Sequence, residues 1–118
     1  MTKLKDLLGD LGKVEGISAA VVVSRDGFVI EGVTHNGKLD SEAVGAVISA
    51  GIGSSQVMGS ELNVGQLTQM MIEFKDGVIV VSFLGDAAVL ATVADLTANL
   101  GNVRYQVKKR AGAIEAAL

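Results

Sequence analysis

Residues 43–60 read AVGAVISAGIGSSQVMGS, a run without one charged side chain, set between Glu42 and Glu61. Its larger apolar residues, Val44, Val47, Ile48, Ile52 and Met58, continue to Leu62 at helical spacing. Asp40 or Ser41 supplies an N-cap, and Leu39 and Val44 are placed to form a hydrophobic staple. The other face of such a helix holds Gly45, Ser49, Gly53, Gln56 and Ser60. A surface helix ordinarily carries charged residues there. A small, uncharged face is easily dehydrated and lets another backbone come close. Glycine inside a helix costs about 0.5–1 kcal/mol relative to alanine, so Gly45, Gly51, Gly53 and Gly59 call for a packing reason. The glycines, serines and Gln56 argue against a membrane span. The run reads as a central helix covered on both sides, by its own sheet and by a second surface.

Outward from this helix the pattern changes to strands. On the N-terminal side, residues 2–11 form a short amphipathic helix, with Leu4, Leu7, Leu8 and Leu11 on one face, Thr2 as cap and Gly12 as stop. Residues 17–24 are apolar on both faces, as in a central strand. Asp26-Gly27 is a hairpin turn, and residues 28–32 return as the second strand. On the C-terminal side, residues 66–74, 78–84 and 88–94 form an antiparallel meander through turns at Asp76-Gly77 and Gly85-Asp86. A last helix from about residue 99 to 118 shows an apolar stripe of Leu100, Val103, Val107, Ala111, Ile114 and Leu118. Its outer face gathers Arg104, Lys108, Lys109 and Arg110; this is a solvated face or a dock for an acidic partner. The order helix, two strands, helix, three strands, helix gives an α+β fold with a five-stranded antiparallel sheet and helices on both faces.

Composition narrows the function. A chain of 118 residues supports one domain with one core, expected to span residues 1–118. With 49% hydrophobic and 19% charged residues it is a folded chain, and a net charge of −3 does not favour nucleic acid. The absence of cysteine removes disulfides, thiolate metal sites and a cysteine nucleophile. No signal peptide is visible, so a cytoplasmic location without membrane insertion is expected.

No catalytic constellation emerges either. His35, the one histidine, sits beside a predicted Asn-Gly turn and is expected to be solvent-exposed. There is no G-x-x-x-x-G-K-[ST] phosphate loop and no G-x-S-x-G elbow. Gly51-Ile52-Gly53 lacks the third glycine of a dinucleotide fingerprint and falls within a helix. No metal-ligand spacing occurs. A non-enzymatic protein without cofactor, metal or catalytic residue is expected.

Two segments carry a family resemblance. VEGISAAVVVSRDGFVIEG at residues 14–32 resembles the helix-to-hairpin region of the roadblock, or dynein light chain, family, and LTANLGNVRYQVKK at residues 96–109 is similar to that family's entry into its last helix. The element order agrees along essentially the whole chain. The resemblance implies a roadblock/profilin-like sheet in the order 2-1-5-4-3, with the central helix on one face and both terminal helices on the other. It further implies dimers formed by pairing third strands and packing central helices together. Roadblock proteins serve Ras-like GTPases as regulators or platforms, the gliding-motility GTPase-activating partner being one case, or act as subunits of motor and scaffold complexes.

The expected function is therefore a homodimeric regulator that binds a Ras-like small GTPase, with a structural adaptor as the alternative. A sensory domain with a ligand between helix and sheet is disfavoured by the lack of convergent polar residues. The expected dimer interface comprises Gly45, Ser49, Gly53, Met70 and Ile72, and the expected partner-binding strip comprises Glu42, Ser49, Gln56 and Ser60.

Overall fold

The computed structural model describes residues 3–35 and 40–118. Along the chain come α1 (Leu4–Gly12), β1 (Ile17–Ser24), β2 (Val29–Thr34), α2 (Ser41–Glu61), β3 (Gln69–Phe74), β4 (Gly77–Leu84), β5 (Ala88–Asp95) and α3 (Leu100–Ala116). The strands form one sheet in the order β2-β1-β5-β4-β3, with every neighbouring pair antiparallel. β1 and β5 are central, which explains why β1 is apolar on both faces: alternate residues enter different cores. On one face, Val22, Leu84 and Leu90 meet Leu8 and Leu11 of α1 and Val103, Val107 and Ile114 of α3. On the other, Val21, Val23, Val81, Val89 and Ala91 meet Ile52 of α2. The order and layering are those implied by the resemblance.

The ends of α2 show how local chemistry delimits it. Asp40, rather than Ser41, is the N-cap; its carboxylate accepts from the backbone N–H groups of Glu42 at 3.1 Å and Ala43 at 3.3 Å. At the other end Asn63 takes a positive φ of 57°. The N–H of Val64 then donates to the Gly59 carbonyl and that of Asn63 to the Ser60 carbonyl, the paired bonds of a Schellman closure. This closure carries the chain away from the helix, so β3 begins at Gln69 rather than at residue 66. The expected staple residue Leu39 and the expected cap Thr2 lie outside the described residues. In α1 the cap is Lys3, whose side chain makes no capping bond, and Gly12 is the last helical residue.

Between β5 and α3, Asp95 accepts hydrogen bonds from the hydroxyl and the backbone N–H of Thr97. The hydroxyl bond, then the backbone bond, holds its carboxyl below the ordinary carboxylate value. A carboxyl with a lowered folded-state pKa contributes stability that is present above its unfolded pKa and lost as pH falls through the folded one. Thr97→Val is expected to raise the Asp95 pKa towards the ordinary value and to diminish this acid-side loss. A carboxyl NMR titration checks it, and an unmoved Asp95 would show that the hydroxyl is not the cause.

Candidate functional site

The rotation of α2 about its axis decides which of its residues can meet a partner. Val44, Ile48 and Ile52 do pack on the sheet. Gly45 packs there too: a Cβ at its position would stand 2.2 Å from the carbonyl oxygen of Gly27. Gly27 itself has φ +90° in the β1–β2 turn, and a Cβ there would lie 3.4 Å from Ser49 Cβ. The helix thus lies directly on its own hairpin. Gly45, expected at a helix–helix contact, is instead covered by its own chain, and Ser49 is half-buried beside it.

The face turned to solvent is a different one. It presents Val47 at 66% exposure, Val57 at 61% and Met58 at 58%, interspersed with exposed Ala43, Ala46, Ala50 and Ser54. Val47 and Met58, assigned from sequence to the sheet-facing stripe, belong to this outer face. The cause is weak contrast: with no charge on either side, apolarity alone does not phase the helix. Of the expected interface residues on α2, Gly53 is open, with nothing within 4 Å of a built Cβ.

The edge strand β3 lies near this helix. Met70 packs part-buried against the α2-side core, and its Cε is 3.8 Å from where a Cβ on Gly51 would be. Alternation puts Ile72 and Phe74 on the same side of the sheet as Met70. Ile72 and Phe74 are exposed, and among the described residues β3 pairs with β4 alone. An apolar edge strand thus lies beside an uncharged helix face, and both are open to solvent in the single chain.

At the C-terminal half of α2 this surface adjoins a cleft of about 870 Å³. Gln56 and Ser60 form one wall, Asn63, Gln66 and Thr68 of the connection to β3 another, and Arg25, Phe83 and Asp86 the third. Arg25 is held firmly there: its guanidinium stacks 5.0 Å from the centroid of Phe83 and its Nε donates to the Asp86 carbonyl at 3.0 Å. From sequence Arg25 was legible only as part of a hairpin turn; its role depends on two turns, distant in sequence, meeting at one end of the sheet. Ser49, Gly53 and Gln56 border a smaller adjoining hollow of about 240 Å³. Three of the four expected partner-binding residues therefore share one flank, whereas Glu42 is exposed in the first turn, at the far end of the helix.

His35 is exposed, as expected, and Nε2 of its ring donates to the Gly12 carbonyl. No group of three or more potential metal ligands occurs among the described residues. No described helix is long and apolar enough to cross a membrane.

The chain belongs to the Roadblock/LC7 domain family, whose sequence model matches residues 3–94. An uncharacterized protein of Methanocaldococcus jannaschii is 36% identical over 110 residues, 93% of this chain and 95% of that one. Among solved structures, MglB from Myxococcus xanthus is similar with a TM-score of 0.88 at 17% identity, covering 99% of this chain and 94% of its own. The gliding protein MglB from Thermus thermophilus gives a TM-score of 0.87 at 19% identity, with 97% and 87% covered. At such identities the likeness to these structures is one of fold.

Proposed function

We propose that this chain is a homodimeric, non-enzymatic roadblock module that binds a Ras-like small GTPase and modulates its nucleotide state or location. The observation that carries the reading is the solvent face of α2, long, uncharged and set with exposed Val47, Val57 and Met58. Two copies joined through this face and through β3 would cover the apolar edge, and a two-fold axis makes such a contact self-complementary. The flank with Ser49, Gln56 and Ser60 stays open at the margin of that contact and offers hydroxyl and amide groups without a lone buried charge. A rigid platform of this kind biases a mobile switch region by binding one of its conformations better.

The test is binding of a candidate Ras-like GTPase in its GDP form and in a GTP-analogue form, to the wild-type chain and to Gln56→Arg. The two nucleotide forms are expected to differ by about 1–3 kcal/mol, a usual size for coupling between sites, and the arginine is expected to weaken the preferred form. Tight binding with equal affinity for both forms would favour a structural adaptor instead. An unchanged affinity for Gln56→Arg would remove this flank from the contact.

A further inference from the structure

On the face of the sheet opposite α2, α3 lies over β4 and β5 and stops short of β3, leaving a groove of about 550 Å³. Its helical wall consists of Gly101, Arg104, Tyr105, Lys108 and Ala111. Its floor is the cross-strand pair Gln69 and Ser82, on the sheet face where β4 also places Val78, Val80 and Leu84 and β3 places Met71 and, at its far end, Glu73. We propose that this groove is a docking site for an acidic, extended segment of a partner protein.

Charge complementarity carries the proposal. Two of the four cations of α3, Arg104 and Lys108, line the groove, and no Asp or Glu does. Among the described residues the one ion pair is Lys13–Asp10, so neither cation has an ion-pair partner among them. This concentration of positive charge stands out against a net charge of −3. Tyr105, 59% exposed, adds an apolar ring with a hydroxyl beside the two cations. The uncharged amide and hydroxyl of Gln69 and Ser82 can satisfy the backbone of an extended segment. Gly101 and Ala111 leave the helical wall low, so a main chain can come close.

The same charge balance selects a peptide over a nucleic acid. A duplex spans many Debye lengths, each about 10 Å at 0.1 M salt, and meets the repulsion of an acidic molecule. A short carboxylate-bearing segment meets only the local positive field. The groove's cationic wall also lies beyond residue 94, where the match to the family model ends. The groove lies on the face of the sheet opposite α2, but Thr68 and Phe83 border both it and the cleft beside Gln56. The variants that test the proposal therefore sit at Arg104, Lys108 and Ser82, which line the groove and not that cleft.

The experiment measures fluorescence anisotropy of a labelled oligoglutamate peptide with the full chain, with oligolysine and a duplex oligonucleotide as further probes. Arg104→Glu and Lys108→Glu are each expected to weaken oligoglutamate binding at least about tenfold. Lys109→Glu makes the same charge change outside the groove and is expected to alter it less than about twofold. Ser82→Glu places a carboxylate on the floor without touching α3 and is expected to match the Arg104→Glu loss, which keeps the test decisive if the α3 variants unfold. Equal losses for Lys109→Glu and Arg104→Glu, no effect of Ser82→Glu, or tighter binding of the duplex with the same residue dependence would each overturn the proposal.

Discussion

Gly45→Ala is expected to lower the melting temperature by roughly 10 °C, whereas Gly53→Ala on the same helix is expected to raise it slightly. The added methyl is the same, and so is the helix-propensity gain of up to about 1 kcal/mol. The surroundings differ. At Gly45 the new Cβ would stand 2.2 Å from the Gly27 carbonyl oxygen, a backbone atom that no rotamer change can move. Either α2 lifts off the hairpin or the turn deforms, and overpacking of this kind costs about 1–3 kcal/mol. Lifting the helix also loosens Ile48 and Ile52 from the sheet, which places the net effect near the upper end, about 2–3 kcal/mol, or roughly 10 °C for a domain of this size. At Gly53 nothing of the same chain lies within 4 Å, so in the single chain, at concentrations too low for association, the propensity gain stands alone. Thermal unfolding of the two variants checks the sign as well as the size. Destabilisation of both at concentrations too low for association would mean that α2 is rotated differently from the orientation described.

The second large effect concerns association. Gly53→Lys combined with Val57→Lys is expected to convert a dimer into a folded species with the single-chain mass of 12.1 kDa. Both positions are exposed in the single chain, so lysine is tolerated until a second copy covers them. In the dimer proposed above, each cation would be taken out of water on an apolar face and would meet its like across the two-fold. Weakening by two orders of magnitude or more, about 2.7 kcal/mol, is the expected minimum. Light scattering across a concentration series measures it. A wild-type chain that dimerises while the double variant dimerises equally well would move the interface away from α2.

Both results turn on a distinction that the chain alone draws incompletely. The elements were legible because each has a strong local cause. Asp26-Gly27 closes the first hairpin, and the second turns one residue earlier than expected, at Lys75-Asp76 with Gly77 opening β4. Asn99 caps α3 by accepting from the Asn102 N–H, and the apolar run of β1 demands cover on both faces. The strand order came from the family resemblance, since the meander of three strands does not itself say where the first hairpin joins. Residue types also determined what the chain lacks the pieces for, with no cysteine and no phosphate-binding loop.

Tertiary structure alone decided the phase of α2 and the composition of the site. Every residue from 43 to 60 is uncharged, so neither face announces itself as the wet one. The helix is oriented by the closest backbone contact available, Gly45 on Gly27, and that contact joins two segments whose proximity exists only after β1 and β2 have paired. Arg25 is the same case: its stacking on Phe83 and its bond to the Asp86 carbonyl span β-turns that local pattern cannot bring together. Hydrophobic periodicity and turn chemistry act over a few residues and specify the elements, whereas the surface a partner meets is set by how those elements rotate against one another.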